Sequence, residues 1–117
     1  MFALLMGIPT ISPAEVLQRV QAGRLLAIDV NPRASWIAAR VPGALHLDPG
    51  AFDANNLPAN RDTPLVFYCS NVFCRKAPAA ARRARTLGFR DVRVMAAGIS
   101  GWLGGALPTE SGDPGQT

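Results

Sequence analysis

An α/β domain, with a mostly parallel sheet covered by helices on both faces, is the fold this sequence predicts. Three observations predict it. Short apolar runs without polar alternation mark strands buried on both sides. Segments with helix-start and helix-stop chemistry separate those runs, so strands and helices alternate along the chain. The length of 117 residues suits one core and leaves no room for a second domain.

The apolar start, MFALLMGIPT, contains no Lys or Arg and is interrupted by Gly7 and Pro9. It is too short to span a bilayer and lacks the charged segment of a secretory signal, so it reads as a buried first strand or a tucked-in terminus. Ser12 to Glu15, SPAE, has the form of a capping box with Pro13 at the first helical position, which predicts a helix over 13–21 that stops at Gly23. LLAIDV, residues 25–30, is an apolar run ending in an acid and predicts a strand. Asn31 is then placed to cap a short helix running through about Ala39. VPGALHL turns at Pro42-Gly43 and yields a short strand over 44–47.

Residues 48–63, rich in Pro, Asn and Asp, predict a loop with at most one turn of helix. LVFYC, residues 65–69, is the clearest strand in the sequence. A helix over 77–87 follows, beginning at Lys76 or Ala77 because Pro78 is tolerated only in the first turn. Ala77, Ala80, Ala81, Ala84 and Leu87 form its small-residue face, and Arg82, Arg83 and Arg85 lie off it. Gly88 ends it, VRVM (92–95) is a further strand, and AAGISGW turns into a short helix near 100–103. The polar, Gly/Pro-rich tail is expected to fray from Pro108, so the domain is drawn over 1–109 and a flexible tail over 110–117.

Composition narrows the function. Apolar residues make up 49% of the chain and charged ones 17%, which fits a folded globule. Two cysteines are too few for a disulfide scaffold, and a reducing, cytoplasmic setting with no membrane partner is expected. The net charge is +4 and falls largely between Arg75 and Arg93. Those arginines occupy one outer helix face with no aromatic stacking platform, so a nucleic-acid surface is not expected. A solvated helix face, or an attraction for small anions, explains them instead.

The chemistry points to Cys69, which stands where a buried strand hands over to a helix. The first amides of a helix lack internal partners and carry partial positive charge. A loop wrapped there forms an anion-binding nest, here over Ser70, Asn71, Val72, Phe73, Cys74 and Arg75. A thiol held in it loses its proton more readily, and Arg75 and Lys76 add full charge. The plain alternative is a small buried strand residue. Its place at the strand's end, ahead of a basic helix start, favours a nucleophile.

LLAIDV, RVPGALHL, LVFYC with its loop and Ala-rich helix, and LGFRDVRVMAAGISGW, in that order over about 10–109, resemble a single-domain rhodanese. The resemblance implies a three-layer α/β/α fold with a five-stranded, mostly parallel sheet, shared with cell-cycle phosphatases and related arsenate reductases. It implies that Cys69 is the sulfur-carrying nucleophile. A small-molecule donor such as thiosulfate would leave its outer sulfur on Cys69 as a persulfide. Cyanide or a thiol, a protein thiol included, would then accept it. No cofactor is implied, because the thiol itself carries the group. Asp29 and Arg40 would support the loops and charge around the site.

Several positions depart from the family pattern. The loop from Cys69 lacks the usual central Gly and is longer, and Arg75 stands at the sixth place after the cysteine, as in the phosphatase relatives. A phosphatase or arsenate-reductase-like oxyanion enzyme is therefore the rival reading, although no general acid is evident; Asp48 and Asp53 lie in the 48–63 loop, and nothing in the sequence brings them to the site. Asn31 replaces an Arg and Arg40 a His common in the family. Cys74 is expected either to fill a gap under the loop or to pair with Cys69 in redox control, the second making the chain a non-enzymatic redox or sulfur sensor in a third reading. His46, Trp36 and Trp102 are expected to be packing residues.

Overall fold

The computed structural model describes residues 4–115. The chain opens with an antiparallel hairpin, β1 (Leu4–Leu5) and β2 (Ile8–Pro9). Met6 and Gly7 join them with φ of 54° and 82°, the two left-handed residues of a type I′ turn. Ile8 is buried and Leu5 packs half-buried against the same core, while Leu4 is exposed. Residues 1–3 of the expected strand lie outside the described residues.

The remaining elements are α1 (Pro13–Gln21), β3 (Leu26–Asp29), α2 (Arg33–Ala38), β4 (Leu45–His46), a 3₁₀ turn (Ala54–Asn56), β5 (Leu65–Tyr68), α3 (Lys76–Thr86), β6 (Val92–Val94) and α4 (Gly98–Gly104). α1 starts as the capping chemistry requires: the Glu15 amide donates to Ser12 Oγ at 3.2 Å. α2 does not. Pro32 occupies its cap position with no side-chain hydrogen bond, because the side chain of Asn31 is engaged elsewhere.

β3 to β6 form one parallel sheet in the order β4-β3-β5-β6. The expected five-stranded sheet has four strands. At the fifth place, outside β6, Thr10 makes a single parallel bridge to Val94, and the Ile11 amide donates to the Val94 carbonyl at 3.0 Å. Pro9 cannot donate to a ladder and Pro13 already begins a helix, so little chain is left to extend the pairing.

Alternation along β5 sends Leu65, Phe67 and Cys69 to one face and Val66 and Tyr68 to the other. The first face packs on Ala77, Ala80, Ala81 and Ala84 of α3, the small-residue stripe that lets a helix lie close to a sheet. The second face packs on Val16 of α1 and Trp102 of α4. Phe52 and Leu57, inside the segment expected to be loop, are both buried in the first core. No helix among the described residues is long and apolar enough to cross a membrane.

Contacts continue past Pro108. Trp102 Nε1 donates to the Pro108 carbonyl at 2.7 Å, Arg40 and Glu110 exchange backbone hydrogen bonds at 3.0 Å, and the Gly112 amide reaches the Ile37 carbonyl at 2.8 Å. Arg33 pairs with Asp113 at 2.7 Å. The chain through Asp113 is thus laid along α2.

Candidate active site

From β3 the chain moves outward to β4, and from β5 it moves the other way to β6. Such a reversal opens a crevice at the carboxyl ends of the two central strands. Asp29 is in register with Tyr68, and the Val30 amide extends the ladder to the Tyr68 carbonyl at 3.0 Å. The segments after β3 and β5 therefore begin side by side.

Cys69 is the first residue past β5 and is 3% exposed, on the α3 face. Its sulfur is bonded to that of Cys74, with the Cα atoms 6.4 Å apart. The expectation of an ionised thiol inside a ring of amides is therefore not met in this oxidised form. Two of the loop amides are also used within the loop: Phe73 N–H donates to Asn71 Oδ1 at 2.9 Å and Cys74 N–H to the Asn71 carbonyl at 3.1 Å. This turn points Val72 and Phe73, 60% and 86% exposed, out to solvent and brings Cys74 back against the core. Arg75 precedes the first residue of α3, and its side chain and that of Lys76 are exposed.

The start of the loop is held by α4. The Ile99 amide donates to the Cys69 carbonyl and the Ser100 amide to the Ser70 carbonyl, both at 2.9 Å. This contact needs Gly98. Its φ is +65°, and a Cβ there would lie 2.6 Å from the Ser70 carbonyl atoms and 2.7 Å from the Asn71 nitrogen. The Gly in AAGISGW is visible in the sequence, but only the fold reveals what it packs against.

Asp29 and Cys69 lie at neighbouring strand ends but on opposite faces, since side chains alternate and the sheet is in register. Asp29 is fully buried; its Oδ1 accepts the Asn31 amide at 2.8 Å and its Oδ2 has no hydrogen-bond partner among the described residues. Its link to the loop runs through Asn31, whose Oδ1 accepts from Ser70 Oγ at 2.8 Å and whose carbonyl contacts His46 Nε2 at 2.7 Å. Sequence reasoning gave Asn31 a capping role and so missed this bridge. Asn31, Arg33, His46, Asp48 and Lys76 border a cleft of about 390 Å³ that adjoins the loop. Lys76 and Arg33, the latter paired with Asp113, bring positive charge to it, and Asp48 brings a carboxylate.

Arg40 does not join this cluster. Its guanidinium lies 4.0 Å from the Trp36 ring centroid and donates to the Trp36 and Gly112 carbonyls at 3.1 and 2.8 Å. Among the described residues no hydrogen bond runs from it to residues 69–75. A long side chain committed to the C-terminal segment cannot also serve the loop. Asp53 is likewise spent on capping the 3₁₀ turn, while Asp48 accepts from the Gly50 amide at 3.0 Å at the edge of the cleft.

Burial pushes the Asp29 carboxyl above its ordinary 3.8, against the lowering effect of the Asn31 amide and the Tyr68 hydroxyl. Burial, with Asp29 beside it, also pushes Tyr68 up, so its hydroxyl stays protonated. A carboxyl raised in the folded state contributes most below its unfolded value, and that contribution is lost as pH rises through the folded value. Asp29→Asn is expected to remove this loss. Denaturant titrations from pH 3 upward should then show the variant gaining stability relative to the parent as pH rises; parallel curves would contradict the assignment.

Residues 12–104 match the Rhodanese-like domain family. An HTH-type transcriptional regulator of Mycobacterium tuberculosis is 33% identical over 104 residues, which are 89% of this chain and 46% of that protein. The chain thus spans less than half of that regulator. Human thiosulfate:glutathione sulfurtransferase is 31% identical over 111 residues, covering 83% of this chain and 95% of that protein. The crystal structure of BH2092 from Bacillus halodurans superposes with a TM-score of 0.79 at 19% identity, over 87% of this chain and 76% of that one. The fold, the thiol at the carboxyl end of the central strand and the matched span agree with one another, and the chain belongs to the rhodanese-like domain family.

Proposed function

We propose that this chain is a sulfurtransferase that carries sulfane sulfur on Cys69, from thiosulfate or a persulfide donor to a thiol or cyanide. The observation that carries this reading is the position of Cys69, at the carboxyl end of β5 and at the N-terminal side of the 11-residue helix α3. With the Cys69–Cys74 bond reduced, the first-turn amides of α3 and the charges of Arg75 and Lys76 favour thiolate over thiol. The thiolate attacks the outer sulfur of thiosulfate, the sulfur–sulfur bond of the donor breaks, and sulfite leaves with the electron pair. Arg75 and Lys76 attract the dianion and offset the charge on the departing sulfite. Asp29 and Asn31 act as positioning residues by holding Ser70, and α4 holds the loop's first two carbonyls. The cleft beside Lys76 receives the anionic end of donor or acceptor. A reducing, cytoplasmic setting suits the working form, which needs both thiols free.

Fully reduced protein mixed with thiosulfate in the absence of acceptor is expected to release one equivalent of sulfite in a burst. Steady release of phosphate from an aryl phosphate, with no sulfite from thiosulfate, would instead assign the site to the oxyanion-processing relatives.

A further inference from the structure

We infer that Cys74 is a second catalytic residue, which expels the sulfur held on Cys69 as hydrogen sulfide and leaves the loop as the disulfide. This rests on the reading of Cys69 as the sulfur carrier. The structure supplies the geometry. The loop brings the two sulfurs into a bond with their Cα atoms 6.4 Å apart, a separation ordinary for a disulfide. The approach is built in by the turn on Asn71, whose side chain and carbonyl bind the Phe73 and Cys74 amides. That turn sends Phe73 outward and packs Cys74 against the core cluster that contains Cys69. Cys74 stands two residues ahead of α3, next in sequence to Arg75 and Lys76, and Cys69 is bonded to it, so the pair is near the first turn of the helix, where a thiolate is favoured.

The step balances without an outside oxidant beyond the sulfur donor. Cys69 thiolate and thiosulfate give the Cys69 persulfide anion and sulfite. The Cys74 sulfur then attacks Cys69 Sγ, the inner atom of the persulfide. The Cys69 Sγ–Cys74 Sγ bond forms, the bond to the outer sulfur breaks, and that sulfur leaves with the electron pair and the Cys74 proton as HS⁻. The sulfane sulfur is reduced by two electrons and the two cysteine sulfurs are each oxidised by one. A positioned intramolecular group reaches effective molarities of ~10⁵ M, whereas acceptor thiols in solution are millimolar, so closure outruns transfer to a weak external acceptor. The disulfide has no nucleophile. Each further turnover needs a thiol or dithiol to reduce it, and the loop is silent until then.

The test compares reduced wild-type protein with Cys74→Ser and Cys74→Ala, each given thiosulfate with no acceptor. Sulfite, sulfide and intact mass are read together. Wild-type protein is expected to yield one equivalent each of sulfite and sulfide and to lose two hydrogens of mass. Both variants are expected to yield sulfite, no sulfide, and a mass gain of one sulfur atom on Cys69. Wild-type protein that holds a stable added sulfur and releases no sulfide overturns the role of Cys74 while leaving the sulfurtransferase reading intact. Absence of sulfite from all three proteins overturns that reading, and the inference with it.

Discussion

Cys69→Ser is expected to lower sulfite release from thiosulfate at least about a thousandfold, since removal of a covalent nucleophile takes away the chemical step itself. The variant also loses the loop disulfide, which is worth about 2 kcal/mol for so short a loop by the chain-entropy relation. Cys74→Ser loses the same bond, so the pair separates chemistry from stability. Both variants should fall in denaturant midpoint by similar amounts relative to oxidised wild type. Only Cys69→Ser should lose sulfite release. A Cys69→Ser protein that releases sulfite at the parent rate would show that sulfur is carried elsewhere or not at all.

Gly98→Ala is expected to be strongly destabilising. Its backbone has φ +65°, which costs a non-glycine residue about 1 kcal/mol or more. The added Cβ also meets main-chain atoms of Ser70 and Asn71 at 2.6–2.7 Å, and neither can swing away as a flexible side chain would. Overpacking of that kind adds about 1–3 kcal/mol. The total, about 2–4 kcal/mol, corresponds to a fall in melting temperature of roughly 10 °C for a chain of this size. Relief of the clash must separate α4 from the loop and so lengthen the bonds from the Ile99 and Ser100 amides to residues 69 and 70. Activity should fall along with stability. Gly104→Ala, within the same helix and with open space around it, is the control and should leave both near the parent's values. Equal behaviour of the two variants would mean that the loop does not depend on close approach of α4.

The two substitutions probe different layers of one site, and the arginines illustrate a related point about charge. The basic stretch of α3 looks like a uniform solvated face when only its periodicity is considered. In the fold, Arg83 donates to the Phe52 carbonyl at 2.8 Å and lies over the Phe52 ring, and Arg85 reaches the Gly7 carbonyl at 3.2 Å. These side chains tie the 48–63 segment and the β1–β2 turn to the helix. Arg75 and Lys76 are left to present charge at the loop.

The alternation of strands and helices, the positions of the main elements and the cysteine at the end of the central strand are legible in the residues alone. These depend on local physics: apolar runs, the Ser12 cap, the Pro78 restriction and glycine stops act within a few residues of themselves. Which groups meet was settled by assembly of the fold. Sheet order placed the 30–32 segment beside the 69–75 loop, and residue parity turned Asp29 away from Cys69, making Asn31 the link. Folding of the tail along α2 claimed Arg40, and α4 claimed the carbonyls at the loop's start. The pairing of Cys69 with Cys74 belongs to the same class. A spacing of five residues and the local turn on Asn71 permit a bond, but the packing of Cys74 on the core that contains Cys69 exists only once the sheet and α3 have assembled.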